Sequence, residues 1–511
     1  MQYFIGIDVG TSGCKVSVFD EGFQPQAFAT QKYAINTPRP GWAEFDPIEI
    51  WHAVCETTRR ALDQLQIELG KHTFALSFSV FGEGLITSDA EGHVLYPGIL
   101  CSDLRSVAIT ERMEKDLGRE ALFAKTGRTP HPMAVITKII WLHENRPDLV
   151  GSQTRFLDFH GWLHATLGTG LVTDHTSASG TMLFDIDQKI WSPELLAYAR
   201  IRGENLPESV QAGTSVGHPT EAAARALGFP DAGNVQVAVG AMDQMCNAIG
   251  SGTVLPGDII CSMGTVEAVT IVMAPGARTE ALIGFNMPRV PSAVEDQYVT
   301  HIFLWDGGRS LGWFCDNFAQ KQREDAEQNG LSVFAELLGQ EPRARDGFFL
   351  PHLSGSGMPW QNPLSRGAFL GLTPAFDVVS AAHTIIEGVT FELKINLDNL
   401  RSLGMQSDDL RVVGGGSKSD AWLQLKADIL ERPVSRPAFG EAGCLGAALL
   451  AAYGAGFFTD LVAASKNIVN IRDSFQPSAR AAYCRKKYEI YKEIYPAIEG
   501  INRQIATLDC Q

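Results

Sequence analysis

The chain has 511 residues, room for about three ordinary domains or two large ones, and its 45 % hydrophobic and 20 % charged residues exclude a small module, a fibre or a disordered chain. Its 42 Lys+Arg against 58 Asp+Glu leave a net charge of −16, which repels phosphate backbones and anionic lipid headgroups and sets nucleic-acid and membrane-surface roles aside. Nine cysteines, scattered from Cys14 to Cys510 with no CxxC pair, point away from a disulfide framework or a zinc site and toward a reducing compartment.

The amino terminus MQYFIGIDVG enters a strand pattern directly, without the basic and apolar regions of a signal peptide, so a cytoplasmic location is expected. Over residues 4–20, apolar residues alternate through Phe4, Ile5, Ile7 and Val9. The turn Gly10-Thr11-Ser12-Gly13 follows, and alternation resumes at Val16, Val18 and Phe19. That is strand, tight turn, strand. It lacks both the GxxxxGK[ST] of a Walker loop and the GxGxxG of a dinucleotide fold. From Ile48 to Leu69, Trp51, Val54, Cys55, Leu62 and Leu65 share one helical stripe. The turn-rich stretch 245–258 is the expected junction between an amino-terminal domain, 1–247, and a carboxy-terminal one, 248–511.

Residues 259–272 repeat the opening design around Gly264-Thr265. Laid on the first hairpin without gaps, Gly10-Thr11 falls on Gly264-Thr265 and Asp8 falls on Ser262, so only the first copy carries a carboxylate. Any hairpin shares part of this pattern, which leaves the second copy open to a plain structural reading. Val378 to Leu400 is periodic through Ala382, Ile385, Ile386, Val389 and Leu393. Ala442 to Phe458 is apolar but short for a bilayer of ~20 residues, and reads as a buried helix. Ala479 to Ile505 reads as a helix kinked or broken at Pro496. The mixture makes an α/β protein.

Three glycine-rich places suit phosphates or a nucleotide: the turns at 10–13 and 264–265, and VVGGGSKSDAW from Val412 to Trp422, which leads into a helix amino terminus. In this order on two matching halves, they resemble the two phosphate segments and the adenosine segment of the sugar kinase/heat-shock/actin superfamily. Within it, the chain resembles the FGGY carbohydrate kinases, among them the xylulokinases. The strings that carry the resemblance are GWAEFDP (41–47), PGILCSDLR (97–105), TKIIWLHEN (137–145), GAMDQMCNAIGSG (240–252), FFLPHLSGSGMPWQNPLSRGAFLGL (348–372) and AGCLGAALLA (442–451).

The resemblance implies two actin-like, ribonuclease H-like lobes with a cleft between them, and phosphorylation of a small open-chain sugar by ATP with Mg²⁺. D-xylulose is the expected acceptor. Phosphoryl transfer asks for positioning, a cation and an aimed hydroxyl. Asp243 of GAMDQM matches the family's general base, although an Asp in a turn or cap fits the bare residue equally. Asp8 is implied as the Mg²⁺ residue, with water between, since that ion prefers hard oxygens and keeps waters. Thr11, Ser12, Gly13 and Lys15, with Gly264 and Thr265, are implied to hold phosphates, and Gly414, Gly415, Gly416 and Ser417 to face adenosine; a packed helix-entry turn remains the alternative for the triple glycine.

The acceptor segments depart from the family. Gly82-Glu83 stands where xylulokinases carry Met-His and glycerol kinases Arg-Glu, Cys101 replaces a usual Trp, and Ser356 replaces a usual Glu. Gly82, Glu83, Asp103, Arg105 and Asp174 are the expected sugar contacts, since carboxylates accept from hydroxyls; Asp174 could equally be a solvated loop acid. Trp305 lines the sugar site or fills core. His160 and His164, at i and i+4 without an HExxH string, are expected to be structural. Kinases of ribulose, L-xylulose, erythritol or glycerol are the alternatives that the Gly82-Glu83 departure supports. A nucleotide-switched binding protein of chaperone or filament type shares the two hairpins but needs no base. The expected partners are the sugar and ATP, with no nucleic acid and no membrane, and the resemblance admits a homodimer.

Overall fold

A computed structural model of the chain describes residues 1–274, 277 and 279–508. These form two compact units. The first comprises Met1–Val254, Pro288–Val299 and Glu441–Val469, and the second Leu255–Met287, Thr300–Gly440 and Asn470 onward. The first unit ends its opening run at Val254, close to the expected junction, and each unit is discontinuous in sequence.

The first unit is built on a sheet in the order Val235–Val237, Thr73–Val80, Gln2–Val9, Gly13–Phe19, Pro25–Lys32, with Ala241–Met242 also pairing with Thr73–Val80. Gln2–Val9 runs antiparallel to Gly13–Phe19, with Asp8 opposite Lys15, and parallel to Thr73–Val80, with Asp8 opposite Ser79. Alternation along the first strand sorts its side chains. Ile5, Ile7 and Val9 enter a core with Ile50, Val54 and Leu62 of the helix Pro47–Gln64. Gly6, on the other face, lies against Cys444 of the helix Ala442–Gly454.

That packing explains why the segment from residue 441 belongs to the first unit. Its helix is made of small residues because it lies almost in backbone contact with its neighbours: a Cβ on Gly446 would come 1.9 Å from the Cys246 carbonyl oxygen of the helix Asp243–Gly250. The apolar run is therefore a buried helix ending at Gly454, as its composition suggests. A smaller sheet in the order Glu44–Phe45, Val94–Ile99, Leu85–Ser88, Arg155–Leu157 belongs to this unit, and its strand Leu85–Ser88 begins just after Glu83.

The second unit repeats the topology. Ile259–Met263 is antiparallel to Glu267–Val272 and parallel to Leu410–Val413, in a sheet that continues through Val434–Pro437 to Ile471–Phe475. The helix Val378–Ser402 starts at the Asp377 side chain, which accepts from the Ser380 amide at 2.8 Å, and is buried along most of its length. The last helix, Ala481–Leu508, corrects an expectation: it is not broken at Pro496. Proline removes one amide donor, but the turns before it are anchored by Tyr488, Tyr491, Ile494 and Tyr495, all buried. Among the described residues, no helix is long and apolar enough to cross a membrane. Eight cysteines are free thiols and Cys510 lies outside the described residues.

Candidate active site

Two carboxylates of the first unit, Asp8 and Asp243, are pushed up from their ordinary range. Asp8, near the end of its strand, accepts a hydrogen bond from Ser79 Oγ at 2.6 Å. Burial pushes its carboxyl up, against the Ser79 bond and the Lys15 charge; Glu441 pushes the same way as burial. Lys15 itself is engaged by Glu441 at 2.5 Å. Asp243 opens its helix and is partly exposed, with Oδ1 accepting from the Gln244 amide at 2.7 Å. Burial first, then the charge of Asp8 and that of Glu83, push its carboxyl up to about 7. A carboxyl poised there is half ionised at neutral pH, so it can accept a proton and later release it.

The expected acceptor residues divide into two groups. Glu83, at φ 57°, has its carboxylate against Arg128 Nη1 at 3.0 Å, while Lys138 Nζ donates to its backbone carbonyl at 2.5 Å and to that of Met133 at 2.9 Å. Lys138 is fully buried, and that burial lowers its ammonium to about 8. Gly82 adjoins Met242, the residue before Asp243. Cys101 belongs to the same cluster: burial, then the Glu83 charge, push its thiol up to about 11, with Asp243 adding to the rise.

Asp103 and Arg105, by contrast, bind each other. Arg105 Nε meets Asp103 Oδ1 at 2.8 Å, its Nη2 meets Glu44 at 2.8 Å, and its guanidinium lies 3.7 Å from the centre of the Trp42 ring. The second oxygen of Asp103 accepts from the Ala43 amide at 2.6 Å. Asp174 is a buried helix cap, accepting from the Thr176 amide at 2.7 Å and paired with His160 at 3.2 Å. It is not a solvated loop acid. His160 and His164 are buried in the same region, and His164 Nδ1 lies 2.9 Å from Thr169 Oγ1. The turn at 10–13 is closed by the Gly10 amide donating to the Gly13 carbonyl at 3.0 Å, with Ser12 exposed.

In the second unit a cavity of about 800 Å³ is bordered by Gly264 and Thr265 on one edge and by Gly415, Gly416 and Lys418 on another, with Trp313 and Phe334 among its walls. That size and this mixture of apolar wall and backbone polar edge suit a nucleoside. The two edges are held together from beneath. Gly414 adopts φ 88°, and a Cβ there would come 3.0 Å from the Met263 carbonyl oxygen, so the glycine turn rides directly on the first strand of the hairpin. Behind it, Lys426 Nζ bonds Glu267 Oε2 at 2.8 Å, both fully buried. Ser417 Oγ turns inward to the Gly414 carbonyl at 2.7 Å. Trp305 is half-buried and stacks on Phe303 at 6.0 Å, and Ser356 is buried, accepting from the Asn362 amide at 2.8 Å.

Residues 3–250 match the profile of the amino-terminal domain of the FGGY family of carbohydrate kinases, and residues 260–455 that of its carboxy-terminal domain. The chain belongs to the FGGY family of carbohydrate kinases. It is 28 % identical over 513 residues to a xylulose kinase of Lactococcus lactis, covering 99 % of both chains. It is 26 % identical over 510 residues to a gluconokinase of Bacillus licheniformis, covering 99 % of this chain and 98 % of that one. To a glycerol kinase of Methylibium petroleiphilum it is 30 % identical over 509 residues, covering 96 % and 98 %. The solved structure of a ligand-bound xylulose kinase from Lactobacillus acidophilus superposes with a TM-score of 0.86 at 25 % identity, covering 99 % of this chain and 100 % of that one. The protein is thus an ATP-using sugar kinase with the two-domain actin-like fold.

Sequence reasoning passed over Arg128, Lys138, Glu267 and Lys426. Lys138 left a signal: it is a lone cation inside the buried run VITKIIWL. Nothing near Arg128 in the sequence marks it.

Proposed function

We propose that this kinase transfers the γ-phosphoryl group of ATP to the terminal hydroxyl of D-xylulose, giving D-xylulose 5-phosphate and ADP, with Asp243 as the general base. The observation that carries the reading is the Asp243 carboxyl held near 7 by burial and by its acidic neighbours, Asp8 before Glu83. The acceptor rests on the full-length likeness to proteins named xylulose kinase. In the reaction, Asp243 takes the proton of the acceptor hydroxyl as the new O–P bond forms, the bond from the γ-phosphorus to the bridging oxygen breaks, and the electron pair leaves with ADP. Thr11, Ser12, Gly13 and Lys15 of the first unit, and Gly264 and Thr265 of the second, are assigned to phosphate oxygens. The cavity beside Gly414, Gly415, Gly416 and Ser417 is assigned to adenosine.

The residues present fit Mg²⁺. The Asp8 carboxyl is pushed upward by burial and by Glu441, and that of Asp243 by burial and then by Asp8, as carboxylates that receive a divalent cation would be before the ion arrives. Mg²⁺ keeps several waters and shares its ligands with phosphates, so one or two carboxylates suffice to hold it. Asp8 would hold it through water, and it would supply neutralisation of phosphate charge. Eight free thiols suit action in the cytoplasm.

A second reading, a kinase for ribulose, L-xylulose, erythritol or glycerol, is favoured by Gly82-Glu83 and by the likeness to a protein named glycerol kinase. ATP consumption measured over a panel of free ketoses and polyols decides. Turnover stimulated most by D-xylulose supports the first reading, stimulation by another member supports the second, and ATP hydrolysis indifferent to all of them removes both and leaves an acceptor outside the ketoses and polyols, such as the sugar acid that the likeness to a protein named gluconokinase suggests.

A further inference from the structure

Arg128 is buried, with 9 % of its surface exposed, and its guanidinium is only partly used. Nη1 faces Glu83 Oε1 at 3.0 Å. Nε and Nη2 are shielded from solvent and have no hydrogen-bond partner among the described residues. These two nitrogens are the side-on edge of the guanidinium, whose N–H bonds run parallel and match two adjacent lone-pair oxygens. Leaving charged donors buried and unmade is expensive, so the pair is a strong indication of a ligand contact.

The setting of Arg128 says which ligand. Its partner Glu83 is fixed twice, by Arg128 at the carboxylate and by Lys138 at the backbone carbonyl, and its charge acts on Asp243. His131, close to Arg128 and Lys138, is lowered to about 4 by burial and by those two charges, so it adds no further positive charge at neutral pH. The cluster therefore has a fixed carboxylate that accepts from hydroxyls and a fixed pair of charged donors that carbonyl or carboxylate oxygens satisfy more strongly than hydroxyl oxygens do.

We propose that the Nε–Nη2 edge of Arg128 is a specificity element of the acceptor site, gripping two neighbouring acceptor oxygens, a hydroxy-carbonyl or a carboxylate, at the end of the sugar away from the hydroxyl that faces Asp243. The inference rests on the kinase reading above. Under it a polyol, whose adjacent oxygens are all hydroxyls and therefore weaker acceptors than a carbonyl or carboxylate oxygen, is a poorer substrate even though its reacting hydroxyl is the same.

The test compares D-xylulose, xylitol and D-xylonate as acceptors for the wild-type enzyme and for Arg128→Lys, which keeps a charge for Glu83 but lacks the fork. Arg128→Met in an Glu83→Gln background serves as a second variant without an unpaired buried charge. For the wild type, kcat/KM for xylulose or for xylonate should exceed that for xylitol by 10-fold or more. A preference for xylulose assigns the edge to a hydroxy-carbonyl, and one for xylonate assigns it to a carboxylate. In both variants the acceptor KM should rise by about 10- to 100-fold, the KM for ATP should stay unchanged, and the preference over xylitol should collapse. A wild type that uses xylitol as well as the other two, or variants that keep the preference, would overturn the proposal while leaving the kinase reading intact. If none of the three stimulates ATP turnover by the wild type, the D-xylulose reading itself fails and takes this inference with it.

Discussion

The two hairpins of the molecule share a backbone plan and differ in what they do with charge. In each, a strand pairs antiparallel with its successor and parallel with a third strand, Thr73–Val80 in one case and Leu410–Val413 in the other. The first hairpin leaves Asp8 with a neutral hydroxyl as its bonded partner and with Asp243 in its field. The second has Ser262 at the matching place, and its carboxylate, Glu267, is neutralised by Lys426. One hairpin is left electrostatically unsettled, ready for a proton or a cation. The other is settled, and offers backbone groups beside an apolar cavity. Fold duplication supplied the frame, and the placement of a few charges separates a hairpin with an uncompensated buried carboxylate from one whose carboxylate is paired, which the proposed function reads as a reacting region and a nucleotide-holding one.

The comparison can be broken most severely at Asp243. Replacing it by Asn removes the proton acceptor from the unsettled side, and sugar-dependent kcat should fall by about 10²- to 10⁴-fold with ATP affinity preserved, as read by steady-state kinetics and calorimetry. On the settled side, Lys426→Met strands the Glu267 carboxylate in the core and should cost about 3–5 kcal/mol in urea unfolding. The double variant Glu267→Gln with Lys426→Met should recover much of that loss, because neither charge is then left alone. If the double variant is no better than the single, the pair is not what settles that hairpin. The smallest effect is expected at Ser79→Ala. Its hydroxyl lowers the Asp8 carboxyl, so its removal should weaken Mg²⁺ binding by about fivefold, seen as a higher Mg²⁺ requirement for turnover.

The hairpins, the buried Ala-rich helix and the long helix from Val378 were legible in the sequence because each is a local pattern of alternation or 3.6-residue period. What was not legible depends on contacts between distant residues. Lys426 and Glu267 lie 159 positions apart, and Glu83 meets Arg128 and Lys138 only once the segments carrying them are folded together. Asp103 and Arg105 look like two free polar groups in PGILCSDLR, yet they bind each other and Glu44. The discontinuity of the units follows from the packing of residues 442–454 against the first strand, a close approach that no turn signal announces. Pro496 reads as a breaker by local rules and is overridden by the aromatic anchors before it.

The central claim is that the Asp243 carboxylate, poised near neutrality, takes the acceptor's proton. It is tested most directly by the pH dependence of sugar-dependent turnover at low concentrations of both substrates, which reports the free enzyme. Because the ionised form is the active one and its carboxyl is raised to about 7, the rate should be full above that pH and should fall tenfold per unit as the pH drops below it. The residual activity of Asp243→Asn should lack this limb. A wild-type profile flat from about pH 5 to 8, or an Asn variant that keeps the same limb, would contradict the account.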